Sequence, residues 1–356
     1  MISSLSIDRE KLETIAAGIP TLLHPPLLEK VYRALLLLEG LSVSGLDFVF
    51  KGGTAVMLLL DRPQRFSIDI DIVKDGSIEF EMLENISRQA GFLGVEEQQR
   101  QSGSGIAKAH YKFFYTPMIP KGIDKETILL DVLQASPPYP QLQDTPVALS
   151  LFADPGEVVS VKTPTIDDIC GDKLTAFAPN TLGIPYKKSG ESATLEIIKQ
   201  LFDIGHLFKK VSDLEAVRSS YIEVGRREVE YRGGVYSLRQ SLADTLQTAL
   251  AISTGGALGE GNYPELRKGI DGLRQFVFSY KFGVSHAVTY AARAAYLSAC
   301  ILYGESKIER YDASIDLRPL SIGNKPLNTL KKSNPEAFYY WYQIEKLRQQ
   351  GSDLIF

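Results

Sequence analysis

The chain has 356 residues, of which 44% are hydrophobic, 23% charged and 10% aromatic, and this composition is typical of a globular protein with about two or three domains. The formal net charge of −4 excludes a general basic field for nucleic acid, so such a contact would need a local patch. No apolar run approaches the ~18 residues of a membrane span, and the first residues carry no basic leader. We therefore expect a soluble, cytoplasmic protein.

Cysteine and histidine are rare, and none of them shows the spacing of a disulfide framework or a zinc site. A reducing compartment is consistent with so few cysteines. The residues concerned are Cys170, Cys300, His24, His110, His206 and His286.

Two helices are predicted before the first motif. Residues 7–18 have an amphipathic pattern with Asp8 at the cap position, and residues 27–39 form a leucine-rich run after two prolines. The leucine-rich run is expected to pack on a sheet.

A Lys-Gly-Gly-Thr turn at residues 51–54 joins a short apolar strand, residues 48–50, to a predicted helix over residues 55–60. Glycines let a backbone approach a ligand closely, and a hydroxyl at a helix start can hold a phosphate beside the unbonded N–H groups. Taken alone, the same four residues are most often a plain turn with a threonine N-cap.

Residues 65–72 alternate between polar and apolar side chains with a period of two, as expected of a half-buried strand. Ser67, Asp69 and Asp71 share one face of this strand. Like charges ~7 Å apart repel unless a cation lies between them. Aligned carboxylates that hold Mg²⁺ are one interpretation, and a solvated edge strand that uses charge against aggregation is the other.

The turn, the helix and the Asp-x-Asp strand together resemble the nucleotidyltransferase superfamily. The form found here, K-G-G-T followed by R-x-S-x-D-x-D, resembles the AbiEii/AbiGii abortive-infection toxin family, which includes the MenT-type toxins. That superfamily usually has Gly-Ser where this chain has Gly53-Thr54, and threonine keeps the hydroxyl. The resemblance covers residues 48–208, and its first motif is the specific one.

Three strands are predicted after a helix over residues 77–91, and the last of them carries one acid in an apolar run. These strands cover residues 92–99, 106–116 and 127–133. An unpaired charge inside a strand would cost several kcal/mol to bury, so Asp131 either faces water on an edge or faces the same metals as Asp69 and Asp71. The resemblance implies the second role, because the superfamily carries a third carboxylate on a later strand.

Two helices with lysines follow a last strand over residues 158–161. The first begins near Thr165 and contains Asp-Lys-Leu at residues 172–174, and the second covers residues 195–209 and places Lys199 and Asp203 on one face. Without the upstream motif, that pair reads as an exposed helix pair of little energetic value. The family has a D-K-L helix and a K-x-x-x-D helix here, although many relatives carry an acid where this chain has Gln200.

The rest of the chain, residues 212–304 and the tail, reads as helical. Arginines at positions 226, 227, 232 and 239 could contact RNA phosphates or form solvated helix faces. In the tail, lysines precede the aromatic run at residues 338–342, which could bind single-stranded nucleic acid or dock a C-terminal helix onto the core, and docking is the favoured interpretation.

The resemblance implies a role for each residue of the motifs. Catalytic roles, with metal binding by the three acids, fall to Asp69, Asp71, Asp131 and Lys173. Nucleotide binding falls to Lys51, Gly52, Gly53, Thr54, Arg65, Ser67, Lys199 and Asp203. A two-metal Mg²⁺ site would then serve attack of an acceptor hydroxyl on the α-phosphate of an NTP, with release of pyrophosphate.

We therefore predict an α/β fold with a mixed nucleotidyltransferase sheet flanked by helices over residues 1–164. An all-helical domain over residues 165–356 should follow, and its helices over residues 165–210 should complete the active site. Family membership implies a toxin with a cognate antitoxin and the 3′ end of tRNA as acceptor. The alternatives are a nucleotidyltransferase that modifies a protein or a small molecule, and an inactive nucleotide-binding protein that acts through a partner.

Overall fold

The computed structural model describes the chain apart from residues 3, 4, 6, 20–24, 61, 99–106, 120, 121, 123, 153–156 and 351–356. His24 and the facing ends of the predicted strands 92–99 and 106–116 lie outside the described residues. The chain divides into two compact units. The first consists of Met1–Pro137, Gln141–Thr165 and Gln275–Lys281, and the second of Pro138–Pro140, Ile166–Arg274 and Phe282–Phe356.

The first unit is built on a seven-stranded sheet in the order β3-β4-β5-β2-β1-β7-β6. Strands β1 and β7 are parallel, as are β2 and β5, and the other neighbours are antiparallel. This mixed sheet with helices confirms the predicted fold class. Its elements are α1 Arg9–Ala17, α2 Pro25–Val43, β1 Val49–Lys51, α3 Gly52–Leu59, β2 Ile70–Lys74, α4 Phe80–Gln89, β3 Gly94–Glu97, β4 Lys108–Tyr115, β5 Glu126–Gln134, β6 Leu142–Pro146 and β7 Ser160–Pro164.

Strand β5 shows how the alternating pattern positions the site. Ile128, Leu130 and Val132 are almost completely buried, whereas Leu129 and Asp131 on the other face are half-buried. Because successive side chains point to opposite faces, burial of the three aliphatic side chains leaves Asp131 on the more open face of the sheet.

The predicted strand over residues 65–72 is wrong in its bounds, because β2 begins only at Ile70 and continues to Lys74. Ser67 and Asp69 lie ahead of the strand, and Arg65 instead forms an isolated antiparallel bridge with Val277. The edge strand β6 was not predicted from the sequence. Its side chains are exposed except for Thr145, so it lacks the apolar alternation on which strand prediction depends.

The second unit is largely helical. This confirms the predicted helical region, which also contains a two-stranded hairpin that turns through Ser189 and Gly190, both with positive φ. Its elements are α5 Ile166–Ala176, β8 Lys187–Lys188, β9 Glu191–Ser192, α6 Thr194–Leu207, α7 Leu214–Tyr231, α8 Leu238–Ser253, α9 Tyr263–Leu273, α10 Val284–Leu302, α11 Lys325–Asn328, α12 Leu330–Ser333 and α13 Pro335–Gln349.

The aromatic tail is part of the core of the second unit. Helix α10, rich in small residues, packs against α8 and α13, and Phe338, Tyr340 and Trp341 of α13 are buried. The Trp341 indole Nε1 donates a hydrogen bond to Ser253 Oγ at 3.0 Å. The structure therefore supports docking of the C-terminal helix, which was the favoured interpretation of this run.

Side chains of the arginine cluster make contacts within the second unit. Arg226 pairs with Glu223 at 3.0 Å, and Arg232 donates to the Gly183 carbonyl. In the part of the chain that the structure describes, the helices are all too short or too polar to cross a membrane.

Candidate active site

A row of ionisable side chains crosses four adjacent strands of the sheet. On β4, β5, β2 and β1 in turn, His110 is the register partner of Asp131, Asp131 of Asp71, and Asp71 of Lys51. Register partners project to the same face of a sheet, and neighbouring strands are about 4.8 Å apart. Two carboxylates therefore lie side by side between two residues that can carry positive charge.

Asp131 is the acid that the sequence placed either on an edge or at a metal site. It lies on an interior strand, next to Asp71. Its Oδ1 is 2.6 Å from the His110 Nδ1, and the Asp131 side chain remains 37% exposed. The edge-strand interpretation is therefore wrong, and His110 is a partner that sequence reasoning missed. The pairing depends on the register of β4 against β5, which the sequence does not reveal.

The two glycines of the turn make room for side chains of the motif itself. Gly52 has φ +81°, and a Cβ at this position would overlap the Asp71 carboxylate, with Asp71 Cγ 2.8 Å away. A Cβ on Gly53 would lie 2.7 Å from both Arg65 Nη2 and Ser67 Oγ. Real Cβ atoms do not approach so closely, so glycine at both positions lets the turn pack against the segment that carries the acids.

Thr54 is not a helix cap. Helix α3 begins at Gly52 with Lys51 as its N-cap, so Thr54 lies inside the first turn and is fully buried. Its hydroxyl donates to the Asp69 carbonyl at 2.7 Å. This hydrogen bond fixes the backbone at Asp69. The interpretation of Thr54 as a helix N-cap is therefore wrong.

Three carboxylates of the predicted site could serve as donors to a metal ion. Asp69, Asp71 and Asp131 supply the hard carboxylate oxygens that Mg²⁺ prefers, and Asp71 and Asp131 are register partners on adjacent strands. Asp71 and Asp131 fit a divalent cation in kind and in placement on the sheet, and Asp69 lies just ahead of β2. As the described side chains stand, no three acidic, histidine or cysteine residues are grouped closely enough to form a complete metal site.

In the second unit, the predicted site residues Lys173 and Asp203 form a buried ion pair. The Lys173 Nζ is 3.1 Å from Asp203 Oδ2 and donates to Gln200 Oε1 at 2.9 Å, and the two charged side chains are 7% and 2% exposed. The reading of Lys199 and Asp203 as an exposed helix pair is therefore wrong for Asp203. The catalytic role of Lys173, and nucleotide binding by Lys199 and Asp203, stay predictions.

The two cysteines and His206 belong to the second unit. Burial raises the pKa of the Cys170 thiol and raises that of Cys300 to about 12, so both remain protonated at neutral pH. Both thiols are also completely buried. His206 Nε2 lies 3.0 Å from the Tyr290 hydroxyl.

Comparison with known families decides the assignment. The family model for the nucleotidyl transferase AbiEii toxin of type IV toxin–antitoxin systems matches residues 36–272, which is more than half of the chain. The chain belongs to the AbiEii family. It is therefore an NTP-dependent nucleotidyltransferase of the toxin class, and this class implies a cognate antitoxin.

Solved structures show a more distant likeness. The crystal structure of JHP933 from Helicobacter pylori has a TM-score of 0.43 at 15% identity and covers 78% of this chain and 93% of its own. A candidate nucleotidyltransferase from H. pylori has a TM-score of 0.40 at 14% identity, with 77% and 92% covered. Likeness at this level is too distant to support a functional inference. Among curated proteins, none matches the present chain.

We predict that Gly52→Ala disturbs the AbiEii site beyond the cost of its backbone strain. Gly45→Ala is the matched control, since Gly45 has φ +78° and nothing within 4 Å of an added Cβ. The control should lose about 1–2 kcal/mol of unfolding free energy in urea denaturation. Gly52→Ala should lose more and should also lose transfer activity, because Asp71 must move. If Gly52→Ala and Gly45→Ala lose the same stability and have the same transfer activity, the close contact between Gly52 and Asp71 has no role in the site.

We also predict that Lys173→Ala lowers the free energy of unfolding by about 3–5 kcal/mol, because it leaves Asp203 buried and unpaired. Arg267→Ala is the control. It breaks an i,i+4 pair of similar length, 3.0 Å, whose side chains are 43% and 44% exposed, and should cost about 0–1 kcal/mol.

The double variant Lys173→Met/Asp203→Leu should recover much of the loss, since it removes both charges and keeps side-chain volume. Chemical denaturation of the three proteins measures these differences. If Lys173→Ala is as stable as Arg267→Ala, the Lys173–Asp203 contact does not act as a buried ion pair.

Proposed function

We propose that this AbiEii protein transfers NMP from an NTP to the 3′-terminal hydroxyl of tRNA in the cytoplasm, with Mg²⁺ and with release of pyrophosphate. The observation that carries the proposal is the pair of carboxylates, Asp71 and Asp131, at register positions on adjacent parallel strands within the family-matched region. Side-by-side acids on a sheet are unfavourable by themselves, and divalent cations are the usual reason to keep them.

The metal would be held by Asp69, Asp71 and Asp131. Divalent cations bound there would lower the pKa of the acceptor hydroxyl and neutralise charge on the phosphates. The protein supplies the orientation of these carboxylates. Gly52 makes space for Asp71, the Thr54 hydroxyl holds the Asp69 carbonyl, and His110 holds one oxygen of Asp131.

The transfer step forms one bond and breaks one bond. The acceptor oxygen bonds to the α-phosphorus of the NTP, and the bond from that phosphorus to the bridging oxygen of the β-phosphate breaks, so that pyrophosphate leaves. The hydroxyl proton goes to a base, for which we propose Asp131. Its Oδ1 is engaged by His110, and Oδ2 is the oxygen that takes the proton.

The phosphates of the NTP are proposed to lie at the start of α3. The first N–H groups of a helix lack partners within the helix and attract anions. Lys51, Arg65 and Ser67 surround that start through the sheet register and the contacts of Gly53. Because the Thr54 hydroxyl donates to Asp69, any further bond that it makes to a phosphate would come through its rotation away from that carbonyl.

Labelled NTP incubated with Mg²⁺, the protein and total RNA tests the proposed acceptor. We expect label at the 3′ end of tRNA, lost on mild 3′ exonuclease treatment and dependent on Mg²⁺. Label in protein or in small molecules would identify another acceptor and overturn the tRNA assignment. If label enters no acceptor, the nucleotidyl-transfer proposal itself fails.

Asp131→Asn separates the role of this acid in chemistry from a role in nucleotide binding. The amide keeps the shape and the contact with His110 but is not a base, so we expect transfer to fall by about a hundredfold or more while NTP affinity changes only a few-fold. Asp144→Asn, an exposed acid on the edge strand β6, should leave both unchanged.

Calorimetric NTP affinity and single-turnover transfer rates on the same preparations measure the two effects. An equal loss of affinity and rate in Asp131→Asn would place this acid in the nucleotide pocket. A rate equal to that of Asp144→Asn would remove Asp131 from the mechanism.

A further inference from the structure

A seven-residue segment from late in the sequence belongs to the same unit as the sheet. Gln275–Lys281 follows α9 and precedes α10, yet it is grouped with residues before Thr165. It also lies beyond residue 272, where the match to the family model ends. The family-matched region therefore does not contain every part of the unit that carries the carboxylates.

This segment pairs with the backbone of residues 64–66, immediately before Ser67. Arg65 and Val277 form an antiparallel bridge. On either side of the bridge, the Phe66 N–H donates to the Phe276 carbonyl at 2.9 Å, and the Phe278 N–H donates to the Gln64 carbonyl at 3.4 Å. The end of a 3-10 helix, Arg274–Phe276, and the two residues after it thus hold the Arg65–Phe66 backbone through one isolated bridge and two flanking hydrogen bonds.

Side chains reinforce the pairing. The rings of Phe66 and Phe278 stack with centroids 4.2 Å apart and an interplanar angle of 19°, and both rings are buried. The Ser279 hydroxyl lies 2.8 Å from Gln64 Oε1. Stacked and buried aromatic rings lose both apolar burial and ring contact when one is removed, so Phe278 is the main side-chain anchor of the segment.

The residues that Gln275–Lys281 holds in this way lie next to those that pack on the glycine turn. A Cβ added at Gly53 would meet the Arg65 guanidinium and the Ser67 hydroxyl, so both groups lie close over this glycine. Ser67 directly follows Phe66, and Asp69 and Asp71 follow at two-residue intervals. A shift of the Arg65–Phe66 backbone would therefore move Ser67 and the acids relative to the turn.

We infer that Gln275–Lys281 is a positioning segment for nucleotidyl transfer, anchored by Phe278, which fixes residues 65–71 from outside the family-matched region. The inference rests on the proposed function, because its consequence is measured as a rate. Phe278 is a positioning residue, since it acts on Ser67 and the acids through Phe66.

Phe278→Ala tests the inference against Phe92→Ala as a matched control. Phe92 is also a buried phenylalanine of the same unit, 7% exposed against 9% for Phe278, and its ring contacts Phe113 and Tyr115 on β4. We expect Phe278→Ala to reduce the transfer rate by about ten- to a hundredfold, as a small misplacement of catalytic groups does. Phe278→Tyr, which keeps the stacked ring, should restore the rate to within a few-fold of wild type.

Hydrogen–deuterium exchange supplies a readout besides activity. Phe278→Ala should accelerate exchange of the Phe66 amide and its neighbours, whereas Phe92→Ala should accelerate exchange around β3 and β4. If Phe278→Ala does not fold, Ser279→Ala takes its place, because that exposed hydroxyl can be removed without leaving a cavity, and a few-fold loss of rate is expected.

Equal rates and equal Phe66 exchange in the Phe278 and Phe92 variants would overturn the inference, as would wild-type behaviour of Ser279→Ala when it is the variant tested. A wild-type protein that transfers no nucleotide would instead refute the proposed function. In that case the exchange of the Phe66 amide still shows whether the segment holds residues 64–66.

Discussion

The site depends on one electrostatic constraint, the side-by-side placement of Asp71 and Asp131 on parallel strands β2 and β5. Like charges directly opposite each other destabilise a sheet, by up to about 1 kcal/mol relative to neutral pairs. Lys51 and His110 stand next to them in the same row, so that each carboxylate has a neighbour that can carry positive charge. A divalent cation at the row would relieve the remaining repulsion, and this links the architecture of the sheet to the nucleotidyl transfer of the AbiEii family.

The contacts around the row have a common effect: they hold in place carboxylates that repel each other. Gly52 admits the Asp71 side chain, Gly53 admits Arg65 and Ser67, and the Thr54 hydroxyl bonds to the Asp69 backbone. The glycines thus serve packing within the protein as well as any approach of a ligand. Substitutions in the turn should therefore change the positions of the Asp69 and Asp71 carboxylates even before a nucleotide is bound.

Local patterns in the sequence predicted the parts of the site that depend on local rules. Alternation with a period of two placed Asp131 on the face opposite the buried aliphatic residues of β5, and the K-G-G-T and R-x-S-x-D-x-D motifs resemble those of the family. Pairing between distant segments has no such local signature. The register that brings His110 to Asp131, the bridge from Arg65 to Val277, and the burial of Asp203 against Lys173 all depend on tertiary contacts. The short, polar strand β6 was missed because its side chains are exposed.

Anomalous scattering from Mn²⁺ in crystals grown with a non-hydrolysable NTP tests most directly whether the acidic row is the catalytic centre. The account predicts an anomalous peak bounded by the carboxylates of Asp69, Asp71 and Asp131, and loss of that peak in Asp71→Asn. A peak with bound nucleotide at other residues, or an unchanged peak in Asp71→Asn, would contradict it.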